Sequence, residues 1–165
     1  MLTKSQLLDS MRSEIRIMKH LFTKVPPGTW DWRPTPGQRS TLELLRYLTY
    51  CGTIGAVHSV TDAWDHAEAM QRDAESITPE NFAEAMDRQM KALEDLIEPL
   101  SDDVLLNQDT STPWGTPTKV GVGLIDMSLK PLVAYRMQLF LYAKQSGNSS
   151  IGPANCWVGV DGPKS

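Results

Sequence analysis

Two capping boxes constrain the fold of this chain more than any other feature of its sequence. Thr3 is followed by Gln6, and Ser40 is followed by Glu43, so each hydroxyl residue has an amide or carboxylate side chain three residues later. Such a pair of side chains satisfies free amide groups in the first turn of a helix and therefore marks a helix N-terminus. Apolar residues at steps of three and four follow both boxes and share one helical face. The sequence therefore predicts that each box opens an amphipathic helix.

Four long helical segments are predicted in all. They span residues 3 to 23, 40 to 58, 79 to 98 and 122 to 146. Thr78 and Pro79 suit the N-cap and the first position of the third helix, and Gly147 suits the end of the fourth. The sequence has no alternating strand pattern of comparable length. These features predict an all-α fold, an antiparallel four-helix bundle.

The connections that follow the first and the second predicted helix differ in composition. The loop from residue 28 to 39 contains Trp30 and Trp32, which we expect to pack it against the bundle. Residues 58 to 77 are polar and acidic. They predict either an extension of the second helix or a long connection.

The C-terminal half contains two further segments without helical periodicity. Residues 101 to 121 are rich in turn-forming and β-branched residues, which predicts an extended crossover or a short hairpin. The tail from 148 to 165 is rich in glycine and proline but includes Ile151 and Trp157, so we expect part of it to dock. A chain of 165 residues fits a single domain, taken here as residues 1 to 165.

Composition excludes two classes of partner and predicts a compartment. The formal charge is −4 and basic residues are scattered, which argues against nucleic-acid binding. The longest apolar runs are only a few residues, too short to cross a membrane. The first six residues lack the apolar region of a secretory signal, so we expect a cytoplasmic protein in which Cys51 and Cys156 are free thiols.

Two stretches of sequence carry a family resemblance. Residues 32–37 read Trp-Arg-Pro-Thr-Pro-Gly, and residues 40–48 read Ser-Thr-Leu-Glu-Leu-Leu-Arg-Tyr-Leu. Further on, Trp114 and its glycine precede residues 131–139, Pro-Leu-Val-Ala-Tyr-Arg-Met-Gln-Leu, and residues 142–147, Tyr-Ala-Lys-Gln-Ser-Gly. In this order the stretches resemble the DinB-like family. The resemblance implies a four-helix bundle that is often a homodimer.

The resemblance also implies a divalent metal held by three histidines, one on the second helix and two on the fourth. Two residues four apart lie on one helical face and can both bind one ion. In family members that are enzymes, the metal activates a low-molecular-weight thiol for transfer or isomerisation. The matching positions here are Tyr47, Pro131 and Tyr135, and proline offers no ligand atom while a phenol is a poor ligand at neutral pH. We therefore predict no metal and no other cofactor.

Four residues near these positions are candidates for a ligand pocket, namely Tyr47, Tyr135, Arg136 and Gln138. Arg136 and Gln138 follow the lost ligand as an arginine and a glutamine follow it in the family. The two phenols either meet edge to face and fill the space or line a pocket that orients a small ligand. Arg136 either faces that pocket and binds an anion or pins loops at the surface. Pro131, inside the fourth helix, predicts a kink.

A substitute metal site is a separate possibility. His58, Asp62 and His66 recur at intervals of four residues, with Asp65 beside them. If this stretch is helical, one ion reaches at most two of these side chains with ease. The alternative is that they are ordinary surface residues.

Three functions remain open. The first is a DinB-like protein without the three-histidine site, which binds a small molecule in the bundle cavity or acts without catalysis. The second is a metal-dependent transferase acting on a low-molecular-weight thiol with another ligand set, and the third is a protein-interaction module. The resemblance implies a homodimer, and the sequence permits one, since five tryptophans and an apolar bundle face can supply a buried interface.

Overall fold

The computed structural model describes residues 3–162, and most of them are helical. The elements are α1 (Lys4–Phe22), α2 (Thr41–Leu48), α3 (Cys51–Thr61), α4 (Ala67–Ala74), α5 (Phe82–Ile97), α6 (Asp102–Asn107), β1 (Asp109–Ser111), β2 (Pro117–Lys119), α7 (Val120–Leu124) and α8 (Lys130–Gln145). Two turns of π-helix, Ile125–Leu129 and Ala154–Val158, lie between α7 and α8 and after α8. This architecture confirms the predicted all-α bundle.

The long helices enclose one apolar core. α1 packs against α5 and α8, while α3 packs against α5 and against the π turn that precedes α8. The largest core side chains that are fully buried come from α1, α2, α5 and α8: Met11, Met18, Leu21, Leu44, Leu45, Leu48, Phe82, Met86, Leu93, Ile97 and Tyr142. Burial of this shared face is the main source of the stability of the bundle.

Both predicted capping boxes form. The Thr3 hydroxyl accepts a hydrogen bond from the Gln6 amide at 3.2 Å, and the Gln6 side chain accepts one from the Thr3 amide at 3.0 Å. Ser40 and Glu43 make the same reciprocal pair at 3.2 and 2.6 Å. The hydrogen bond from the Ser40 amide lowers the pKa of Glu43, because it favours the ionised carboxylate.

The predicted second helix, residues 40 to 58, is wrong in one respect, because it is broken into α2 and α3. Tyr50, between the two helices, has φ −138° and ψ −5°. Gln89 of α5 fills the break: its side-chain amide donates to the Leu48 carbonyl at 2.8 Å and accepts from the Gly52 amide at 2.9 Å. A buried glutamine thus replaces the helical hydrogen bonds that the break removes.

The predicted kink in the fourth helix takes the form of the π turn before α8. In an α-helix the Met127 carbonyl would accept from residue 131, but Pro131 has no N–H to donate. The Met127 carbonyl instead lies against Gly55 of α3, where an added Cβ would be 1.6 Å from its oxygen. The two segments approach so closely at this point that only a glycine fits at position 55.

The predicted start of the third helix at residue 79 is also corrected. α5 begins at Phe82, and the Thr78 amide donates to the Asn81 side chain at 2.8 Å in the turn before it. The stretch from 58 to 77, predicted as an extension or a connection, contains the end of α3 and the short helix α4.

The remaining connections follow the sequence patterns. β1 and β2 form the predicted short hairpin, with α6 before it. Trp30 stacks on Phe22 with ring centroids 6.2 Å apart, and Trp32 meets Tyr142 edge to face at 5.3 Å, so both indoles hold their loop against the bundle.

Part of the tail docks as expected. Ile151 and Asn155 are buried, whereas 63% of Trp157 is exposed. Residues 163–165 of the predicted tail, and the first two residues of the predicted domain, lie outside the described residues. Cys51 and Cys156 are buried free thiols. Within residues 3–162, no helix combines the length and apolar character that a membrane span requires.

Candidate functional site

Tyr47 and Tyr135, at two of the positions where the resemblance implies metal ligands, face each other across the bundle. Tyr47 lies on α2 and Tyr135 on α8. Their ring centroids are 4.6 Å apart at an interplanar angle of 66°, and Tyr50 meets Tyr47 at 5.2 Å and 79°. These are edge-to-face contacts, which aromatic pairs favour. Of the two arrangements that the sequence left open for the phenols, direct contact is the one observed.

Arg39 covers this pair of rings. Its guanidinium carbon lies 4.1 Å from the centroid of the Tyr47 ring and 6.0 Å from that of Tyr135. A guanidinium over an aromatic face is attracted by the negative face of the ring. We call Arg39, Tyr47, Tyr50 and Tyr135 the tyrosine face. Arg39 is exposed, and among the described residues its guanidinium forms no ion pair.

Gln138 is connected to the tyrosine face through the Tyr142 hydroxyl. Its side-chain amide donates to the Tyr142 hydroxyl at 3.1 Å, and that hydroxyl donates to the Arg39 carbonyl at 2.9 Å. Tyr142 is buried, so these bonds fix the backbone of Arg39 against α8. Gln138, a candidate for the ligand pocket, is thus linked to the Arg39 backbone through the Tyr142 hydroxyl.

Arg136 does not join the tyrosine face. It is only 2% exposed, and its guanidinium bonds to the Glu14 carboxylate on α1 and to the Cys156 carbonyl. Its Cζ also lies 4.8 Å from the ring centroid of Trp157. Neighbouring residues on a helix point about 100° apart, so Arg136 faces α1 while Tyr135 faces α2. Arg136 therefore pins the C-terminal segment, although it does so in the interior and not at the surface.

The residues at the implied metal positions do not suit a divalent metal. Pro131 has no side-chain ligand atom, and burial together with the nearby Tyr135 phenol raises the pKa of Tyr47 well above its ordinary value. Both effects keep the Tyr47 phenol protonated at neutral pH, and a protonated phenol is a poor ligand. Within residues 3–162, no group of three or more histidine, cysteine or acidic side chains is arranged to hold an ion.

His58 and His66, the alternative ligands, are separated by an indole. Trp64 stacks on His58 with centroids 4.5 Å apart and on His66 at 5.8 Å, so its ring lies between the two imidazoles. Nδ1 of His58 lies 3.2 Å from the Ala63 carbonyl and Nε2 lies 2.8 Å from the Ser111 carbonyl. Each ring nitrogen of His58 therefore faces a backbone carbonyl oxygen.

The acidic residues of this stretch do not complete a site either. Asp62 accepts from the Ser111 amide at 2.9 Å and from its hydroxyl at 2.7 Å. These hydrogen bonds lower the pKa of Asp62, with its side-chain bond to Ser111 the largest cause. Asp65 is exposed, 3.7 Å from Nδ1 of His66. This cluster joins the end of α3 to the hairpin.

Sequence reasoning missed Arg39, Tyr50 and Gln89. Arg39 stands one residue before the Ser40 N-cap, so its backbone position was predictable from the capping box. Its contact with two tyrosines was not, because it depends on how the loop folds over the helices. Gln89 stands among the apolar positions of α5. A polar residue at such a position indicates a buried side chain that has hydrogen-bond partners, and this was the signal in the sequence.

These features define an all-α bundle in which α2 and α8 face each other through a tyrosine pair. The structure is similar to that of a DinB-like protein from Bacillus subtilis, with a TM-score of 0.70 and 14% identity over 90% of this chain and 96% of the other. It is also similar to a protein from Exiguobacterium sibiricum described as a member of the DinB family, with a TM-score of 0.65 and 19% identity over 92% and 96%.

The fold that the sequence resemblance implies is thereby confirmed, and the chain has the DinB-like fold. No family model matches the sequence, and no curated protein matches it. A shared fold does not determine function, so the evidence for the function of this protein lies in its own residues.

Proposed function

We propose that this protein is a metal-independent binding protein whose tyrosine face holds a small organic carboxylate. The observation that carries the proposal is the position of Arg39, which is exposed and rests on the rings of Tyr47 and Tyr135. The rings hold the plane of the guanidinium and leave N–H groups at its edge to meet an anion.

The shape of the tyrosine face favours an aromatic or apolar carboxylate over an inorganic anion. Partly buried rings of Tyr47, Tyr50 and Tyr135 offer apolar area beside a single cation. A ligand that combines a flat apolar body with one carboxylate satisfies both features. The backbone of Arg39 is already fixed by the Tyr142 hydroxyl, which reduces the entropy lost on binding.

The same residues support binding without catalysis. A guanidinium is a permanent cation in proteins, and the raised pKa of Tyr47 keeps its phenol neutral. Neither group is a base near neutral pH, and general acid–base catalysis needs a group whose pKa lies near the working pH. This is the version of the DinB-like hypothesis without the three-histidine site and without a reaction.

Titration with benzoate tests the proposal. We expect benzoate to bind more tightly than acetate, which lacks the ring, and than benzamide, which lacks the charge. Replacing Arg39 by glutamine should weaken benzoate binding about tenfold or more, the scale of a lost charge-assisted hydrogen bond.

Arg33→Gln is the matched control for that titration. Arg33 is an exposed arginine of the same loop, but it lies 3.4 Å from Glu43 and donates to the Gln38 carbonyl at 3.1 Å. The Arg33→Gln variant should bind benzoate with the affinity of the wild type. Equal loss in both variants, or binding that is the same for benzoate and benzamide, would contradict a site at Arg39.

We also propose that the protein forms the homodimer that the resemblance implies, through α8. Val133 and Leu141 are 37% and 44% exposed, and they lie eight residues apart on one side of the helix with Met137 between them. An exposed apolar stripe of this kind is typical of an interface. Light scattering should give twice the chain mass for the wild type and the chain mass for Leu141→Lys, whereas a monomeric wild type would refute the dimer.

The cytoplasm is the compartment that we propose for this activity. Cys51 and Cys156 are both free thiols. Free thiols are maintained in a reducing compartment.

A further inference from the structure

A hydrogen-bonded cluster joins the described part of the tail, residues 148–162, to α1. Asn155, in the π turn after α8, is 5% exposed, and its side-chain nitrogen lies 3.1 Å from Nε2 of His20. The same nitrogen donates to the Asp161 carboxylate at 3.0 Å, and Lys24 of α1 donates to that carboxylate at 2.9 Å. We call His20, Lys24, Asn155 and Asp161 the tail clasp.

The neighbours of Asn155 fix the direction of its side-chain amide. Its Oδ1 accepts from the Gly152 amide at 2.9 Å, so its Nδ2 faces both Asp161 and His20. A reversed amide would place its oxygen against the Asp161 carboxylate and its nitrogen against the Gly152 N–H, and both contacts are repulsive. Nε2 of His20 therefore accepts the hydrogen bond, which requires a neutral imidazole that carries its proton on Nδ1.

Charges on α1 and in the tail act on this imidazole in opposite directions. Burial, the largest cause, lowers the pKa of His20, and the positive charges of Lys24 and Arg16 lower it further. Asp161, 3.7 Å from Nε2, opposes them. This carboxylate is exposed and also pairs with Lys24 at 2.6 Å, so the net effect remains a lowered pKa.

Charged side chains of the neighbouring helices are engaged elsewhere. Asp87 of α5 accepts from Lys19 at 2.6 Å, and Lys144 of α8 donates to the Ile151 carbonyl at 3.2 Å. Among the described residues, the charges that act on the imidazole are therefore those of the clasp and of Arg16.

Protonation of His20 opposes the docking of the tail. An imidazolium carries an N–H on Nε2, which would meet the N–H of Asn155 instead of accepting from it. Asn155 is buried, so it cannot replace this bond by one to water while the tail stays docked. The next residue in the tail is Cys156, which is 1% exposed. Movement of the tail would therefore uncover a thiol.

We propose that the tail clasp is a pH-sensitive switch, which holds the tail on α1 while His20 is neutral and releases it when the imidazole takes up a proton. Release uncovers Cys156 and separates its carbonyl from Arg136, to which it is bonded. The switch is independent of the carboxylate proposed at Arg39.

The direction of the pH dependence follows from the pKa of His20. This pKa is lower in the docked state than the ordinary value of about 6.5, which applies once the tail is released. The released state therefore binds the proton more tightly. Docking is favoured above about pH 6.5 and weakens as the pH falls below it.

Labelling of the two cysteines with N-ethylmaleimide tests the switch on the full chain. Cys156 lies in the tail and Cys51 begins α3, and both are 1% exposed. Each thiol reacts only when its surroundings open, so the ratio of Cys156 to Cys51 labelling, measured by mass spectrometry, cancels the effect of pH on thiol reactivity. We expect this ratio to rise about fivefold between about pH 7.5 and about pH 5, the scale of one lost hydrogen bond.

Two variants assign the effect to one histidine. His20→Gln offers Asn155 an oxygen that does not titrate, so the labelling ratio should stay constant over this pH range. The matched control is His66→Gln, which removes a histidine bonded to the Ile54 carbonyl and should keep the rise seen in the wild type. A wild-type ratio that does not change with pH, or a rise that persists in His20→Gln, would overturn the proposal.

Proton NMR of the wild type gives a second measurement that does not depend on the folding of a variant. The chain has three histidines, so the titration of the His20 ring can be followed separately once its resonance is assigned. We expect its midpoint in the native protein to lie below its midpoint in urea. A native midpoint equal to or above the one in urea would show that docking does not oppose protonation.

Discussion

Arg136, on α8, and Arg39, in the loop that packs against α8, are two arginines in opposite environments. Arg136 is buried, paired with Glu14 and bonded to the carbonyl of Cys156. Arg39 is exposed, and its guanidinium rests on the Tyr47 ring without an ion pair among the described residues. The comparison teaches that burial, and not the residue type, decides whether a guanidinium stabilises the fold through an ion pair or stays without one at the surface.

The physical reason lies in desolvation. Arg136 has lost its water and depends on Glu14 and the backbone to satisfy its charge, so removing either partner leaves a buried group unpaired. Arg39 keeps its hydration and interacts with a ring that carries no net charge. The variants below are ordered by the expected loss in the free energy of unfolding.

Arg136→Met should have the largest effect, a loss of about 3 to 5 kcal/mol, because it leaves the Glu14 carboxylate without its cation. Urea unfolding followed by circular dichroism measures the loss. Lys130→Met removes the exposed pair with Asp126 of the preceding π turn and should cost about 0.5 kcal/mol or less. A loss for Arg136→Met no larger than that control would contradict a structural role for Arg136.

Tyr135→Ala should lower the free energy of unfolding by about 2 kcal/mol. Removal of a fully buried aromatic ring costs about 3 to 5 kcal/mol, and Tyr135 is only partly buried. Tyr135→Phe keeps the ring contact with Tyr47 and should cost much less. If the phenylalanine variant lost as much as the alanine variant, the hydroxyl group and not the edge-to-face packing would hold this face together.

Alkaline pH should weaken the tyrosine face to a smaller extent. Burial, and next the Tyr135 phenol, raise the pKa of Tyr47 above its unfolded value of about 10. Above that pH the unfolded chain loses a proton that the folded protein keeps, so stability falls as the pH rises. Denaturant unfolding between about pH 8 and about pH 11 should show this fall.

Tyr47→Phe should reduce this slope without abolishing it. Burial also raises the pKa of Tyr50, and it raises that of Cys51 to about 12. An unchanged slope in Tyr47→Phe would show that the Tyr47 phenol titrates as it does in the unfolded chain.

Arg39→Met should cost the least stability, about 0.5 to 1 kcal/mol, the usual value of an exposed cation–π contact. Urea unfolding of Arg39→Met and of Arg136→Met under the same conditions compares the stability contributions of the two arginines directly. Similar losses in the two variants would mean that Arg39 is also a structural residue, which would leave the tyrosine face without a binding group.

Several local features were predictable because they depend on residues close in sequence. Both capping boxes, the glycine that ends α8 and the hairpin follow from short-range hydrogen bonding and backbone preferences. Gly147 has φ +135°, a conformation that favours glycine. The contact of Tyr47 with Tyr135 was one of two arrangements left open.

The break at Tyr50 was not predictable in the same way, because Gln89, which fills it, is contributed by another helix. The surroundings of Arg136 were not predictable for a similar reason. Arg136 follows Tyr135 in sequence but points toward α1, while Arg39 reaches Tyr47 only through the folding of its loop. In both cases, contacts between residues distant in sequence determine the conformation.

The sequence by itself determined that the chain forms a helical bundle, since periodic apolar residues and capping side chains act within one or two turns of a helix. It also determined that Pro131 interrupts the last helix, because proline lacks an amide hydrogen wherever it stands. Only the tertiary structure decided that Gly55 accommodates the interruption, that Gln89 fills the earlier break and that Arg39 lies over Tyr47. Burial and hydrogen bonding between distant residues are properties of the packed chain, and no local pattern encodes them.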